Sequence, residues 1–293
     1  MLAVRTAVIP AAGLGTRLAP LTRFIPKELL PVAGRPLIDF TIREALDSGI
    51  RRIVVVTSEA KQVLKEYLAE IAAEWKEGLE IVAVRQAAPR GLGDAIACAR
   101  DAVGGERFAV LLPDTLFDGE TPALAQILAA RPEDPACRVA TQEVAPEFVP
   151  FCGIVALKPV VGGGRLAQVT SVVEKPALNQ APSRYAILGR YLLQPEIFEI
   201  LARTPPDTRG EIQLTDALRI YLEEGDKHLY GRGPVYAVRI EGECYDAGDK
   251  LGYLMANAAF GLHDPASGAE LRAALGALVR RPNGPQRRAR GAV

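Results

Sequence analysis

Apolar positions along the first 145 residues follow two alternating spacings. Over residues 37–48 and 60–75 they recur every three or four residues, which predicts amphipathic helices. Short continuous apolar runs separate these segments, and such runs are typical of strands buried on both faces. The alternation predicts a parallel sheet with helices on both sides. The predicted elements of this half are strands at 7–10, 53–57, 80–85 and 108–112 and helices at 37–48, 60–75 and 94–102.

The pattern changes after residue 145. Three glycines at 162–164 separate two strand-like segments, as in a hairpin. We expect this half to extend the first sheet, so that residues 1–263 form a single domain. Residues 264–293 are predicted to be a C-terminal extension, with a short helix at 270–279 and then a mobile basic tail. The elements predicted here are strands at 151–157, 168–174, 187–193 and 235–240 and helices at 195–202, 214–224 and 250–262.

Composition narrows the class of protein. The 293 residues include 35 Lys and Arg and 35 Asp and Glu, so no net charge attracts the chain to nucleic acid or to an anionic membrane. No apolar run approaches the ~18 residues of a membrane span, and the N-terminus lacks the layout of a signal peptide. The four cysteines are scattered and only two histidines occur, which argues against zinc and against a disulfide framework. We expect a cytoplasmic protein.

A glycine-bearing loop follows the first predicted strand. Gly13 and Gly15 remove Cβ atoms where a ligand would approach the backbone, and Arg17 adds a guanidinium suited to phosphate oxygens. A dinucleotide-binding loop would need glycine where Leu18 stands and an acidic residue where Thr57 stands. A Walker A loop would need a Gly-Lys-Ser/Thr sequence, which is absent. A triphosphate-binding loop and an ordinary strand-to-helix turn therefore both remain open.

Lys27 and Glu28 follow shortly after this loop. Lys27 would supply a second cation for phosphate, and the Glu28 carboxylate can accept the imide N–H of a pyrimidine base. By themselves, an adjacent lysine and glutamate more often form a solvated surface pair.

The loop is the first of several sequence blocks that together resemble a known family. In their order along the chain they resemble the bacterial UTP–glucose-1-phosphate uridylyltransferases, of the nucleotide-sugar pyrophosphorylase superfamily. Each block alone is a weak indication, but the ordered set is specific. The blocks are residues 8–17, 26–31, 84–86, 91–93, 111–114, 173–176, 189–191, 210–216 and 245–250.

The resemblance implies a fold and a set of site residues. The fold would be α/β, with a Rossmann-like, mixed and mostly parallel central sheet flanked by helices, of GT-A-like architecture with a small β-rich extension. The implied catalytic residues are Arg17, Lys27, Asp114, Lys175 and Asp246, of which Asp114 and Asp246 would hold Mg²⁺. The implied nucleotide-binding residues are Ala11, Ala12, Gly13, Leu14, Gly15, Thr16, Glu28, Gln86 and Gly91. The implied sugar-binding residues are Gly153, Glu174, Lys175 and Glu211.

The implied reaction joins UTP to glucose 1-phosphate. A phosphate oxygen of the sugar would attack the α-phosphorus in line, giving UDP-glucose and pyrophosphate. Taken singly, Asp114 and Asp246 are more typical of turn or helix-cap aspartates, and Glu211 fits a helix start equally well. The family also implies a homodimer or homotetramer, with neither nucleic acid nor membrane as a partner.

The sequence departs from the family at several points. Asp94 stands where the family usually has His, and Thr115 follows Asp114 where a second acidic residue is common. The stretch of residues 61–84 is also shorter than the same stretch in the family. Residues 18–22 also resemble glucose-1-phosphate thymidylyltransferases, which commonly carry Gln at the position of Glu28. Glu28 therefore favours UTP.

Three alternatives stay open. The first is a thymidylyltransferase or another sugar-1-phosphate nucleotidyltransferase. The second is a non-catalytic regulatory protein that senses nucleotide sugars, and the third is a dinucleotide-dependent oxidoreductase. The charged residues expected of catalysis argue against the second, and Leu18 and Thr57 argue against the third.

Overall fold

A computed structural model of the chain describes residues 4–74, 78–225 and 233–280. The strands are β1 Thr6–Pro10, β2 Pro31–Val32, β3 Arg35–Pro36, β4 Arg52–Thr57, β5 Glu80–Arg85, β6 Phe108–Leu111, β7 Thr115–Asp118, β8 Cys137–Glu143, β9 Gly153–Pro159, β10 Leu166–Glu174, β11 Tyr185–Leu193, β12 Val235–Arg239 and β13 Glu243–Asp246. The α-helices are α1 Leu37–Asp47, α2 Gln62–Glu74, α3 Leu92–Cys98, α4 Arg100–Val103, α5 Ala123–Ala129, α6 Ile197–Arg203, α7 Leu214–Gly225, α8 Lys250–Leu262 and α9 Gly268–Arg280.

Nine of the described strands form one mixed sheet in the order β5-β4-β1-β6-β11-β8-β12-β10-β9. The first four pair in parallel, as their continuous apolar sequences predict. Successive residues of β1 face opposite sides: Val8 belongs to one core cluster, whereas Ala7 and Ile9 belong to another. Helices cover both faces and bury these side chains. The predicted mixed α/β fold is therefore confirmed.

The strands after residue 145 continue the same sheet. β9 and β10 form the predicted antiparallel pair, joined through the glycines at 162–164. β11 lies antiparallel to β6 and β8, whereas β8 and β12 are parallel. Parallel pairing is thus confined to the first four strands and to the β8–β12 pair.

The pattern of apolar positions did not predict six of the described elements, namely β2, β3, β7, α5, β8 and β13. β8 carries Arg138 and Thr141 at fully buried positions, so its sequence lacks the continuous apolar run of β1 or β4. The Arg138 guanidinium is accommodated by main-chain carbonyls, including that of Asp134 at 2.8 Å. A buried arginine whose Nη2 donates to the preceding loop is not recognisable from periodicity alone.

Element boundaries differ modestly from the predictions. The helix predicted at 94–102 is two helices, α3 and α4, which meet at Ala99. The helix predicted at 60–75 is α2, and Trp75 lies outside the described residues, as do residues 281–293 of the predicted basic tail. None of the described helices has the length and apolar character needed to span a membrane.

A buried ion pair joins α1 to the centre of the sheet. Arg190 of β11 is fully buried, and its Nε and Nη2 lie 2.9 and 2.8 Å from the two carboxylate oxygens of Glu44. Arg190 also donates to the carbonyl oxygens of Leu112 at 3.0 Å and Thr115 at 2.7 Å. These two residues flank Asp114, so the pair fixes the backbone that presents this aspartate.

We expect Glu44→Ala to lower the free energy of unfolding by about 3–5 kcal/mol, because it leaves the Arg190 charge buried without a partner. Urea denaturation checks the value. Asp47→Ala, an exposed carboxylate on the same helix, is the matched control. Equal stability of the two variants would show that the Glu44–Arg190 pair does not hold the fold together.

Candidate active site

A cavity of about 400 Å³ opens at the carboxyl ends of the parallel strands, which is where α/β sheets bind ligands. It is lined from one side by the loop after β1 and from the other by the segment between β5 and α3. Lys27, Asp114 and Glu211 complete it. Of the predicted nucleotide-binding residues, those that line it are Ala12, Gly13, Leu14, Thr16, Gln86 and Gly91.

Two glycines of the first loop differ in their surroundings. Gly15 has φ +66°, and a Cβ there would lie 3.1 Å from Thr22 Cγ2, so the fold itself requires glycine. The Thr22 hydroxyl fixes this turn by donating to the Gly15 carbonyl at 2.8 Å. A Cβ at Gly13 would meet no protein atom within 4 Å. Gly13 therefore leaves open space at the wall of the cavity.

Lys61 holds this loop on the side that faces the protein interior. It was not among the predicted site residues. Its ammonium donates to the carbonyl oxygens of Ala11 and Gly13, both at 2.7 Å. It also contacts both carboxylate oxygens of Glu28, at 2.9 and 2.8 Å. Burial lowers the pKa of Lys61, while the negative charge of Glu28 opposes that shift. The only hint in the sequence is a lysine between a buried strand and an amphipathic helix.

This arrangement corrects two sequence assignments. The Glu28 side chain has no exposed surface and both its oxygens face Lys61, so the predicted contact with a base does not fit this burial. Ala11 is fully buried, its N–H donates to the Val56 carbonyl at 2.7 Å, and its own carbonyl accepts from Lys61. Both residues support the loop from behind.

Gln86 lies immediately after β5, where its N–H donates to the Thr57 carbonyl at 2.8 Å. Its side-chain amide donates to Asp94 Oδ2 at 2.8 Å and to the Gly91 carbonyl at 3.2 Å. Gly91 has φ +94°, and a Cβ there would lie 2.7 Å from the Ile212 carbonyl oxygen. Only glycine fits at this position.

Two acidic residues far apart in sequence meet at the edge of the cavity. β7, which follows Asp114, pairs antiparallel with β13, and this register sets Asp246 opposite Thr115. The Ala247 N–H donates to the Asp114 carbonyl at 2.7 Å. A Cβ at Gly248 would lie 2.8 Å from an oxygen of each carboxylate. The two carboxylates therefore converge on one small space.

Each of these carboxylates has a cationic partner. Lys27 Nζ lies 2.5 Å from Asp114 Oδ2, and Arg17 Nη1 lies 3.3 Å from Asp246 Oδ2. Burial alone would raise the pKa of Asp114, but Lys27 and Arg17 hold it below its usual range. Burial and the nearby charge of Asp114 raise the pKa of Asp246. The nearby Arg17 guanidinium opposes this rise in the pKa of Asp246 without cancelling it.

A second group of predicted residues lies where β9 and β10 pair. Gly153 is opposite Glu174, and a Cβ at Gly153 would lie 3.3 Å from Glu174 Oε2. Thr215, at the start of α7, donates to the same carboxylate oxygen at 2.7 Å. Lys175 Nζ lies 3.3 Å from Glu174 Oε1. Lys175 has φ +46°, a strained conformation for a residue other than glycine, and such strain is typical of functional sites.

Thr215 was not among the predicted site residues. The one feature of the sequence that pointed to it is its position in the block of residues 210–216. Glu211, predicted to bind sugar, lines the cavity with Gly91 instead. Its carboxylate contacts Gln213 Nε2 at 2.9 Å and Arg209 Nη2 at 3.3 Å. Its role in sugar binding stays a prediction.

Known proteins resemble this chain over most of its length. A family model described as Nucleotidyl transferase matches residues 6–258. The UTP–glucose-1-phosphate uridylyltransferase of Bacillus subtilis (strain 168) is 38% identical over 280 residues, which are 89% of this chain and 92% of that protein.

Solved structures agree with this similarity. A UTP-bound UGPase from Acinetobacter baumannii is 35% identical with a TM-score of 0.81, covering 93% of this chain and 99% of its own. A UDP-glucose pyrophosphorylase complexed with UDP-glucose is 33% identical with a TM-score of 0.80, covering 88% of this chain and 98% of its own.

We expect Lys61→Met to lower the free energy of unfolding by about 3 kcal/mol or more, because the Glu28 carboxylate stays buried without its partner. The double variant Lys61→Met/Glu28→Gln should be more stable than Lys61→Met, because it removes that unpaired charge. Urea denaturation measures both. Lys65→Met, on helix α2, which begins just after Lys61, is the control. If it costs as much as Lys61→Met, the proposed support of the loop is wrong.

Proposed function

The chain belongs to the nucleotidyl transferase family, and on that premise we propose that it transfers a uridylyl group from UTP to glucose 1-phosphate, forming UDP-glucose and pyrophosphate. The observation that carries the proposal is the convergence of two carboxylate–cation pairs, Lys27–Asp114 and Arg17–Asp246, at the edge of a cavity closed by a glycine-bearing loop. The family expected from the ordered sequence blocks is confirmed. The names of the relatives supply the choice of UTP and glucose 1-phosphate.

The reaction needs little proton chemistry. A sugar phosphate has a second pKa of about 6, so it is mostly dianionic near pH 7 and is already a nucleophile. One of its oxygens forms a bond to the α-phosphorus while the bond to the β-phosphate oxygen breaks, and pyrophosphate leaves with that electron pair. The protein therefore contributes position and charge neutralisation rather than a general base.

We assign the charged side chains according to their positions. Lys27 and Arg17 hold the triphosphate and neutralise the pyrophosphate as it departs. Lys175 binds the phosphate of the sugar, and Glu174 accepts sugar hydroxyl groups. Thr215 donates to Glu174 and thereby orients its carboxylate.

The residues present fit a divalent cation such as Mg²⁺. Asp114 and Asp246 direct oxygens towards one space, and a cation held there would oppose the effects of burial and of the Asp114 charge, which raise the pKa of Asp246. Over the described ranges, no group of three or more His, Cys, Asp or Glu side chains is arranged as a metal site. Mg²⁺ commonly uses one or two carboxylates together with substrate phosphates. When bound, it would supply neutralising charge to the phosphates.

We also propose that the protein is a cytoplasmic homodimer or homotetramer. Leu251, Leu254 and Met255 of α8 are more than half exposed, and apolar surface on one helix favours association. The four cysteines are unpaired, as expected in a reducing compartment.

The direct test measures pyrophosphate release across a panel of nucleoside triphosphates and sugar 1-phosphates. We expect the highest kcat/KM with UTP and glucose 1-phosphate. A higher value with dTTP would favour a thymidylyltransferase. Binding of UDP-glucose without pyrophosphate formation from any pair would instead favour a non-catalytic sensor.

We expect Asp114→Asn to reduce Mg²⁺-dependent pyrophosphate release by roughly 10³-fold or more while the protein stays folded, by analogy with other phosphoryl-transfer sites. Circular dichroism verifies the fold. Asp118→Asn, at the far end of β7 and outside the cavity, should keep normal turnover. Near-normal turnover of Asp114→Asn would remove Asp114 from the metal site.

We expect Lys175→Ala chiefly to raise the KM for glucose 1-phosphate, by about tenfold or more, with a smaller effect on the KM for UTP. Alanine keeps a Cβ, so the backbone strain at this position changes little. Steady-state kinetics with each substrate varied separately measures both constants. Lys158→Ala, exposed on β9, is the control. An unchanged response to sugar phosphate would place Lys175 outside the sugar site.

A further inference from the structure

The side-chain amide of Gln86 is held in one orientation. Both of its N–H groups are used: Nε2 lies 2.8 Å from Asp94 Oδ2 and 3.2 Å from the Gly91 carbonyl oxygen. Both partners are acceptors, so the nitrogen and not the oxygen of the amide must face them. Gln86 is only 4% exposed, yet it lines the cavity.

The oxygen of the same amide is consequently available as an acceptor. Among residues 4–74, 78–225 and 233–280, no group donates to Gln86 Oε1, and this atom is not sealed from solvent. It belongs to the wall that also contains Gly13 and Gly91. The cavity therefore presents a fixed hydrogen-bond acceptor at this point.

Asp94 is itself fixed. It is 7% exposed, lies in the first turn of α3, and its second carboxylate oxygen accepts from Arg90 Nη2 at 2.8 Å. An ionised carboxylate can only accept hydrogen bonds. A neutral side chain such as histidine or asparagine could donate as well as accept at this position, whereas the Asp94 carboxylate only accepts and favours one orientation of the Gln86 amide.

We propose that Asp94 is a positioning residue that restricts this enzyme to nucleotides whose base carries an imide N–H. Uracil and thymine can donate that N–H to Gln86 Oε1. Cytosine has an unprotonated ring nitrogen at the same position, so two hydrogen-bond acceptors, this nitrogen and Gln86 Oε1, would face each other. The inference rests on the proposed function, because it concerns the base of the same triphosphate. The hydrogen bond to Gln86 Oε1 selects against CTP and does not distinguish UTP from dTTP.

The test compares kcat/KM for UTP, dTTP and CTP in the wild type and in Asp94→Asn. Asparagine has nearly the same shape but can also donate, so it removes the shorter of the two contacts that hold the Gln86 amide. The amide can then turn its nitrogen towards the cavity by giving up only the 3.2 Å bond to the Gly91 carbonyl. We expect the UTP-to-CTP ratio to fall by about tenfold, which corresponds to ~1.4 kcal/mol and is the size of one hydrogen bond. The UTP-to-dTTP ratio should stay unchanged. Asp101→Asn, an exposed aspartate of α4, is the matched control.

A second variant keeps the test decisive if Asp94→Asn does not fold. Gln86→Ala should lower the UTP-to-CTP ratio at least as much, and the double variant Gln86→Ala/Asp94→Asn should match Gln86→Ala alone, because Asp94 acts through the amide. A UTP-to-CTP ratio within twofold of wild type in Asp94→Asn or in Gln86→Ala would overturn the inference. So would a uniform loss with all three nucleotides.

The two proposals fail in distinguishable ways. A wild-type protein that forms no UDP-glucose from UTP overturns the proposed function before any variant is made. A wild type that forms UDP-glucose and discriminates against CTP, combined with an Asp94→Asn variant that discriminates equally well, overturns only the role of Asp94.

Discussion

The geometry of the glycine-bearing loop that lines the cavity depends on one buried ammonium group. Lys61 Nζ lies within 2.9 Å of the Ala11 and Gly13 carbonyls and of both oxygens of Glu28. A buried charge is costly unless it is fully paired, and this one has four oxygen partners. It turns the carbonyl groups of the loop inwards and joins three separate segments of the chain. The loop can therefore present its outer surface to a ligand while its inner surface is satisfied by protein.

The positions of the two carboxylates, those of Asp114 and Asp246, depend on strand pairing. Asp114 and Asp246 are separated by more than a hundred residues, and the antiparallel register of β7 and β13 brings them together. Gly248 leaves room for both carboxylates and for Arg17 Nη2, each within 2.8 Å of the position that a Cβ would take. The buried Arg190–Glu44 pair fixes the main chain on both sides of Asp114. Carboxylate placement is thus a consequence of sheet architecture.

The sequence was most informative where a pattern was local. The apolar runs of β1 and β4 and the spacing in α1 predicted those elements closely, and helix α8 has the predicted bounds. β8 was missed because its buried side includes Arg138, whose partners are carbonyls of the loop that precedes the strand. In the site, the ordered blocks led to the cavity residues around Gly13 and Gln86.

The contacts of Glu28 and Thr215 could not be predicted for a different reason. Glu28 was assigned to a base because a carboxylate can accept an imide N–H, but its true surroundings depend on Lys61, 33 residues further along the chain. Thr215 likewise acquires meaning only when α7 packs beside β10 and brings its hydroxyl to Glu174. The chemistry of a side chain can be read from the sequence. The residue that becomes its hydrogen-bond partner is decided by the fold.

In the proposed reaction the sugar phosphate attacks the α-phosphorus directly, with paired cations and carboxylates supplying charge and position. The stereochemical course at that phosphorus tests this claim most directly. With UTP made chiral at the α-phosphorus by sulfur substitution, one in-line displacement predicts inversion of configuration in the nucleotide sugar product. Net retention would require two displacements through a covalent uridylyl-enzyme, and it would contradict the account.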